Sequence, residues 1–464
     1  MTDFTTYQSP YSWRYGSAEM RRTWSEHHKR LLWRKIWVVL AEVQCEYGLV
    51  RPEQAADLRA HMNNINLPRA MEIEAEIQHD LMAEVHTFAE QATLGGGIIH
   101  FGATSMDVED NADALRLLQS LDLTLETLRG LLAVLSSLID RYADTALIAF
   151  THIQPAEPST LGYRLAQYAQ DLLSDLLNLR TVRIGIKGKG FKGAVGTGAS
   201  YAELIGIDEL ANFESQLSAK LNLPFYPVAS QTYPRKQDYT ILAALAGMGQ
   251  SLYKMAFDLR LLQSPPIGEL SEPFGSKQVG SSAMPFKRNP IKAEKIDSLG
   301  RYLAQLPRVA WDNAAHSLLE RTLDDSANRR TILPEAFLAA DEMLNTARSI
   351  LAGLQVDENA LARNLGIYGP FAATERVMMA AVKAGASRQD MHELIRGQAM
   401  QAWESIRNGE PNPLAANLAV DTQILRFLTL DQVMELMDYR SHLGDAPKRS
   451  RELVKTIQRE IEMK

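Results

Sequence analysis

The stretch from Gly280 to Pro290 reads GSSAMPFKRNP and places two serines, a lysine and an asparagine between glycine and proline. It lies in a run of 21 residues, 273–293, with four basic side chains and no acidic one, although the chain has a net charge of −7. Asn289 and Pro290 match an N-cap and N1 pair, so we expect the segment to present free backbone N–H groups at the start of a helix. This pattern predicts a local anion site. The alternative is a mobile, solvated basic loop that precedes a helix.

A second basic cluster, ERTLDDSANRR, spans Glu320 to Arg330 and precedes a long apolar-periodic segment. Its arginines, Arg321, Arg329 and Arg330, flank Ser326, and guanidinium groups match carboxylates and phosphates in a bidentate way. The cluster therefore indicates an anion-binding segment. The alternative is a salt-bridged helix start, because Asp324 and Asp325 lie beside the arginines.

Three histidines lie in settings that differ from a simple solvent-facing surface. They are His79 in QHD, His100 in IIHFGATS and His152 in FTHIQPAEP. A lone histidine is more often structural than catalytic. His152, however, is predicted in a proline-interrupted turn just ahead of a long helix, where an imidazole that titrates near neutral pH can donate a proton at little cost.

The composition excludes several classes of protein. The chain has 464 residues, 46% of them hydrophobic and 23% charged, which is enough for two to four domains with real cores. A pI near 5.9 argues against a nucleic-acid surface. The single cysteine, Cys45, excludes an intramolecular disulfide, and neither a signal peptide nor an 18-residue apolar run occurs. We therefore expect a cytoplasmic protein with no membrane or nucleic-acid partner.

Familiar cofactor motifs are also missing. Gly188, Gly190 and Gly193 spell G-x-G-x-x-G, but a leucine-rich helix precedes them where a dinucleotide-binding fold needs a strand. No group of metal-ligating residues has a plausible spacing. The sequence thus predicts neither a dinucleotide-binding fold nor a metal site.

Helical periodicity dominates the middle of the chain. Three apolar seams step by three and four: Leu118, Leu121, Leu125, Leu128, Leu132, Leu135 and Ile139; Ile241, Leu245, Met248, Leu252, Met255, Leu259 and Leu262; Leu333, Phe337, Ala340, Leu344, Ala347, Leu351 and Leu354. Two further helices are predicted, one carrying Leu161 to Leu179 and one from Pro290 to Leu306. Strand signals are sparse, such as Ala146 to Phe150, so we predict an all-α protein.

The change in helix length predicts three helical domains, at residues 1–104, 105–356 and 357–464. The central domain would contain the five long helices. One of them is apolar over a wide face, at Leu172, Leu173, Leu176 and Leu177. That width indicates burial against other subunits. A monomeric bundle with a thick core is the alternative.

GSSAMPFKRNP resembles the signature loop of the fumarase and aspartase superfamily. The further segments that narrow this likeness are HFGATSMDVEDNAD, FTHIQPAEPSTLG, SQTYPRK, ERTLDDSANRR and AVKAGASRQDMHE. Together they resemble the adenylosuccinate lyase family, particularly its animal-type branch, over nearly the whole chain. The resemblance implies three helical domains, with the central five-helix bundles forming a twenty-helix core in a homotetramer. It also implies sites shared between three subunits and β-elimination of fumarate from succinylated purine nucleotides without metal or cofactor.

Carried over by position, the resemblance implies that Ser281 is the general base and His152 the general acid. The implied phosphate or nucleotide contacts are Arg14, Tyr15, Arg321, Ser326 and Arg330. The implied contacts to the succinyl part are Thr104, Ser105, Gln231, Lys287 and Asn289. His79, Asp80 and His100 match further motif positions near the catalytic histidine. The exclusion of acids around Ser281 would favour the negative charge that develops on base and substrate.

The chain departs from the family pattern at Gln78, Gly198 and Lys295, where an arginine or other polar residue, a glutamine and an arginine are common. These departures bear on the preference between the two succinylated substrates. Another lyase of the superfamily, such as an argininosuccinate lyase, is the nearest rival interpretation. A scaffolding protein that has lost catalysis is a rival from a different class, and the presence of both Ser281 and His152 argues against it.

Overall fold

The computed structural model describes residues 4–463, and α-helices form most of it. The helices of the first half are α1 (Pro10–Trp13), α2 (Ala18–Thr23), α3 (Glu26–Glu46), α4 (Pro52–His61), α5 (Leu67–Ile77), α6 (Asp80–Gln91), α7 (Ser105–Arg141), α8 (Leu161–Gly185), α9 (Ala199–Ile205) and α10 (Leu210–Leu221). The later helices are α11 (Lys236–Leu262), α12 (Ile291–Leu303), α13 (Leu306–Ala315), α14 (Ser326–Ala352), α15 (Glu358–Lys383), α16 (Arg388–Arg407), α17 (Leu414–Ala419), α18 (Leu430–Leu436) and α19 (Ala446–Glu462). Two small antiparallel pairs complete the fold, β1 (Ala146–Thr151) with β2 (Gln154–Thr160), and β3 (Leu270–Ser271) with β4 (Gln355–Val356). The predicted all-α class is confirmed.

The long helices follow the apolar seams. Helix α7 has 37 residues, α8 has 25, and α11 and α14 have 27 each. Seam residues such as Leu121, Met248 and Phe337 are fully buried, because side chains three and four positions apart lie on one helix face. Among the described helices, none combines the length and apolar composition needed to cross a membrane.

The helix predicted from Pro290 to Leu306 is shorter than expected. Helix α12 ends at Leu303, and Leu306 begins the separate helix α13. Pro307 explains the break, since proline lacks the N–H that would bond to the Leu303 carbonyl in a continuous helix and its ring would clash with that carbonyl. The prediction of five uninterrupted long helices was therefore wrong at this one element.

The wide apolar face of α8 is mostly covered by the chain itself. Leu172, Leu173 and Leu176 are buried within the chain, whereas Leu177 is 44% exposed. The width of this face therefore does not by itself require another subunit. The exposed apolar side chains of α8 and α11 are Leu177, Ile184, Phe257 and Leu261.

Contacts group the described residues into two compact units. The first comprises residues up to 128, 174–250 and 298–345. In it, α3 packs on α4 and α10, and α5 packs on α6. Its core includes the buried side chains of Ile36, Leu81 and Phe88.

The second unit comprises residues 129–173, 251–297 and 346 onward. The β1–β2 hairpin packs on α15, and α15 packs on α16 and α18. Helix α16 begins at Arg388, with Ser387 as N-cap accepting a hydrogen bond from the Asp390 amide. The boundaries of the three predicted domains stay a prediction.

The G-x-G-x-x-G segment binds an internal carboxylate. The backbone amides of Lys192 and Gly193 donate to the Asp107 carboxylate, and the Lys189 ammonium lies 2.5 Å from it. Gly190 and Gly193 have φ of +84° and +70°, which glycine adopts without strain. The loop thus fixes the start of α7 through Asp107.

Candidate active site

A cleft in the first unit is rich in charged side chains of both signs. Its basic residues are Lys29, Arg116, Arg321, Arg329 and Arg330, and its acidic residues are Glu26, Asp80, Glu109 and Asp113. Trp24 and Trp33 form aromatic parts of the wall, and Ser326 lies at the start of α14. Four predicted site residues therefore line one cleft: Asp80, Arg321, Ser326 and Arg330.

Each arginine of the ERTLDDSANRR segment has a carboxylate partner. Arg321 lies 2.9 Å from Asp325, and Arg330 lies 2.8 Å from Asp80. Arg329 is buried and contacts Asp238 at 2.8 Å and Asp113 at 3.2 Å. The salt bridge expected within the segment is therefore present at Arg321, whereas Arg329 and Arg330 pair with carboxylates of other segments, and the anion-binding role of the segment stays a prediction. The partly exposed Arg330 is the arginine best able to exchange its partner for an incoming anion.

Helix α7 presents a row of acids at every third position, and each is paired. Asp107 binds Lys189, Asp110 lies 3.0 Å from Arg235, and Asp113 lies 3.2 Å from Arg329. Burial opposes ionisation of Asp113, but Arg116 and Arg329 outweigh it and lower its pKa to about 2. These pairs hold the first turns of α7 against the neighbouring segments.

His79 and Asp80 start helix α6. His79 is exposed, and its Nδ1 accepts a hydrogen bond from the Met82 amide at 3.4 Å. Burial raises the pKa of Asp80, but the Arg330 guanidinium outweighs this effect and leaves the pKa below its ordinary value. Gln78, one of the departures from the family pattern, ends α5 with a left-handed φ of +53°. A short link at Gln78 and His79 thus joins α5 to the helix that starts with the cleft residue Asp80.

His100 is held by an aromatic partner. The Trp37 indole Nε1 donates to His100 Nδ1 at 3.1 Å, so the proton of the neutral imidazole lies on Nε2. Burial lowers the pKa of His100, with a smaller opposing effect from Asp107. His100 also has a left-handed φ of +68°, which aims this neutral ring at a fixed position.

Thr104 and Ser105 lie at the start of α7. The Thr104 amide donates to Asp107 at 3.1 Å, and Ser105 is the first helical residue. The same helix carries Glu109 and Asp113 into the cleft one and two turns later. These two predicted residues are therefore positioned by the element that forms one wall of the cleft.

Arg14, Tyr15 and Gln231 do not line the cleft. Arg14 is exposed, with its guanidinium 5.7 Å from the Trp13 ring centre, and the Tyr15 ring lies 5.6 Å from that of Tyr11. The Gln231 amide donates to the carbonyl of Glu320 at 3.2 Å, beside the basic segment. The cleft thus unites only part of the predicted set.

The signature loop lies in the second unit and contains Ser281, Lys287 and Asn289. Ser281 Oγ accepts hydrogen bonds from the amides of Ala283 at 3.3 Å and Met284 at 3.1 Å. The Asn289 side chain donates to the carbonyl of Gly280 at 3.0 Å and closes the loop. Lys287 is exposed. Two backbone N–H groups therefore donate to Ser281 Oγ, and such donors favour the ionised form of a hydroxyl.

The start of α12 differs from the sequence prediction. The amides of Lys292 and Ala293 donate to the Glu272 carboxylate at 3.0–3.2 Å. Asn289 binds Gly280 and does not cap the helix with its side chain. The expectation that this helix start offers free N–H groups to an anion was wrong, because a carboxylate just outside the acid-free run occupies them.

His152 lies at the tip of the β1–β2 hairpin. Strand β2, Gln154–Thr160, separates it from α8, so the prediction of a turn directly ahead of the helix was wrong. His152 and Ile153 have φ of +53° and +60°, values that are unusual for residues other than glycine and especially for a β-branched one. The turn projects an exposed imidazole from a two-stranded support.

Several residues of the cleft were not predicted as site residues. Glu109 and Asp113 lie in the segment HFGATSMDVEDNAD, and their i, i+4 spacing, which places both on one helix face, was the available signal. No comparable sequence signal marked Trp24, Lys29 and Trp33 as site residues, because no recognisable motif surrounds them in α2 and α3. In residues 4–463, no group of three or more histidine, cysteine, aspartate or glutamate side chains could hold a metal ion.

Comparison with known proteins gives consistent matches over the whole chain. The model for the family described as "Lyase" matches residues 24–302, and that described as "Adenylosuccinate lyase C-terminus" matches residues 370–453. The adenylosuccinate lyase of Saccharomyces cerevisiae is 38% identical over 99% of this chain and 96% of its own length. The adenylosuccinate lyase of Pyrococcus abyssi is 34% identical over 98% of both chains.

Two solved structures share the fold. The fumarate lyase of Mesorhizobium sp. BNC1 aligns with a TM-score of 0.84 and 22% identity, covering 97% of this chain and 99% of that one. The 3-carboxy-cis,cis-muconate lactonizing enzyme of Pseudomonas putida aligns with a TM-score of 0.86 and 23% identity, covering 98% of this chain and all of that one. At these identities the likeness concerns the fold alone.

Proposed function

Because this chain belongs to the adenylosuccinate lyase family, we propose that it catalyses β-elimination of fumarate from adenylosuccinate to give AMP. The same reaction on succinylaminoimidazole carboxamide ribotide gives aminoimidazole carboxamide ribotide. The observation that carries this proposal is the similarity to curated adenylosuccinate lyases along nearly the full length of the chain. The reaction breaks a C–N bond, and it therefore needs one group to remove a proton from carbon and another to protonate the departing nitrogen.

Ser281 is our candidate for the general base. Lowering a serine pKa by about six units takes about 8 kcal/mol of differential stabilisation of the alkoxide. Two charge-assisted hydrogen bonds, from the amides of Ala283 and Met284, contribute about 3–6 kcal/mol. A further cationic donor has to provide the rest, and Lys287 is the lysine of the same loop.

His152 is our candidate for the general acid. Ser281 takes the proton from the succinyl Cβ, the electron pair forms the C=C bond of fumarate, and the C–N bond breaks. The nitrogen then receives the proton of His152. The exposed imidazole on a two-residue turn supports this role, because the turn can present it to a ligand outside the hairpin.

The cleft of the first unit is our candidate site for the nucleotide part. Arg321, Ser326 and Arg330 line it and offer two guanidinium groups and a hydroxyl to a phosphate. We further assign Arg14 and Tyr15 to the nucleotide part. Our candidate contacts to the succinyl part are Thr104, Ser105, Gln231, Lys287 and Asn289. Three further candidate binding residues, at motif positions near the proposed catalytic histidine, are His79, Asp80 and His100. The mixed charges of the cleft favour an anionic ligand only if Arg330 releases Asp80.

We also propose that the enzyme is a cytoplasmic homotetramer whose sites are shared between subunits, and that it needs no cofactor. Exposed apolar side chains on two long helices, such as Phe257 and Ile184, support an assembly that covers them. The single cysteine is compatible with a reducing compartment.

A direct assay tests the reaction. Purified protein is mixed with adenylosuccinate, the ultraviolet absorbance change is followed, and AMP and fumarate are quantified by chromatography. We expect equal amounts of both products and no fumarate from argininosuccinate. Fumarate release from argininosuccinate without cleavage of adenylosuccinate would overturn the proposal in favour of another lyase of the superfamily.

A further inference from the structure

One acid of the cleft differs from the other three. Glu26 lies 2.7 Å from Lys29, Asp80 lies 2.8 Å from Arg330, and Asp113 lies 3.2 Å from Arg329. Glu109 lines the same cleft, yet among the described residues 4–463 its carboxyl makes no hydrogen bond or ion pair. The side chain of Glu109 is half-buried in the wall of the cleft, so a ligand that enters the cleft can supply its partner.

Charged groups on its own helix and on neighbouring segments face Glu109. On its own helix α7 lie Asp110, Asp113 and Arg116, and at the start of α6 lies Asp80. Helix α14 and the segment before it contribute Arg321, Arg329 and Arg330, and α3 contributes Glu26 and Lys29.

The net effect of these surroundings is to disfavour the carboxylate. Burial is the largest cause and, together with Asp80, Asp113 and Asp110, raises the pKa of Glu109 to about 8, against a smaller opposing effect of Arg330. Arg330 lowers the pKa of Glu109 only slightly, because its guanidinium group already binds the Asp80 carboxylate. At pH 7 the Glu109 side chain is therefore mostly a neutral carboxylic acid, which has one O–H to donate.

We propose that Glu109 is a substrate-binding residue that acts as a neutral acid and donates its hydrogen to an anionic oxygen of the nucleotide phosphate in the cleft. This inference rests on the proposed function, which supplies the nucleotide. A protonated acid adds a donor beside Arg321 and Arg330 without adding negative charge. An ionised Glu109 has no donor and repels a phosphate that carries nearly two negative charges.

The first test is the pH dependence of the Michaelis constant. Between pH 7 and pH 9 the parent should show a rise in KM for adenylosuccinate of about tenfold, because the acid ionises about one unit below the upper pH. Glu109→Gln keeps a neutral donor at every pH, and its KM should change less than about twofold. Glu126→Gln, which removes an exposed acid from the same helix, is the control and should keep the parent's rise.

The second test measures protons directly. AMP is titrated into the protein by calorimetry at pH 8.5, in two buffers that differ in ionisation enthalpy. The parent should take up roughly half a proton or more beyond the uptake of Glu109→Gln, since the bound phosphate holds the acid protonated. Fumarate in place of AMP should show no such difference. A difference with fumarate and none with AMP would overturn the assignment to the phosphate.

The outcomes separate this inference from the proposed function. A parent that cleaves adenylosuccinate while its KM profile coincides with that of Glu109→Gln contradicts the role of Glu109 and leaves the function standing. A parent that does not cleave adenylosuccinate contradicts the function, and AMP calorimetry still tests Glu109. Glu109→Gln removes no ion pair, and circular dichroism spectra of parent and variant verify that both are folded.

Discussion

The two proposed catalytic side chains depend on their own backbone more than on other side chains. Ser281 Oγ lies over two amides of its loop, and His152 is projected by a left-handed turn. The sequence could predict that a serine and a histidine are the candidate catalytic residues, because each lies within one short contiguous motif. It could not predict the hairpin under His152, since Pro155 and Pro158 in strand β2 read as a broken turn.

Glu109 illustrates a second limit at the residue scale. The sequence MDVEDNAD shows that a glutamate is present, but its raised pKa depends first on burial and then on Asp80, which is 29 positions away in sequence. A pKa set by burial and by charges from other helices has no local sequence signal. This is why Glu109 could be told apart from the cation-bound Asp107, Asp110 and Asp113 of the same helix only in three dimensions.

Ser281→Ala and His152→Gln should each lower kcat by about a hundredfold or more, in line with the contribution of a general base or acid. Steady-state kinetics with adenylosuccinate measures the loss, and gel filtration checks that the oligomer still forms. Ser282→Ala, at the neighbouring exposed serine, is the matched control and should lose much less. Turnover near that of the parent in either variant would show that the assigned role is wrong.

At the scale of elements, the apolar seams predicted where the long helices lie. They did not predict the break between α12 and α13, which Pro307 marks. The signature loop shows that a segment without acidic residues can still contact a carboxylate from a neighbouring position in the chain. Glu272 lies one residue before the run, and the fold carries its carboxylate to the amides of Lys292 and Ala293 at the other end. The loop is thus closed at both ends, by this cap and by Asn289 on Gly280.

Glu272→Ala should loosen the start of α12. Loss of a cap costs about 1 kcal/mol, so hydrogen exchange at the Lys292 and Ala293 amides should accelerate about fivefold, with a smaller change deeper in the helix. Glu272→Gln retains an acceptor oxygen and should change exchange less. Unaltered exchange in Glu272→Ala would mean that the cap contributes nothing to local stability.

At the scale of the whole molecule, the predicted residues divide between the two compact units. The proposed nucleotide contacts Arg321, Ser326 and Arg330 belong to the first unit, and the proposed catalytic residues Ser281 and His152 belong to the second. A sequence motif names residues without saying which chain supplies them. The proposed sharing of sites between subunits is therefore a statement about assembly that needs its own experiment.

Mixing the Ser281→Ala and His152→Gln variants should restore part of the activity. If a site takes its serine and its histidine from different chains, hybrid oligomers contain some sites with both residues intact. Activity is measured after subunit exchange has been verified with differently tagged chains, and gel filtration should give four times the 51.8 kDa chain mass. Verified exchange with no recovery would contradict shared sites.

The left-handed turn at the tip of the hairpin has a consequence for how such an enzyme can adapt to temperature. Ile153 is 67% exposed, and its β-branched side chain is ill suited to a φ of +60°. Its neighbour His152 is our candidate general acid, so the proposed reaction does not allow that residue to change. Exchange of Ile153 for glycine or asparagine would relax the turn and leave the imidazole intact. A substitution at this one position is therefore a way to adjust, for a lower or a higher working temperature, the stiffness of the turn that carries our candidate proton donor, without altering the imidazole.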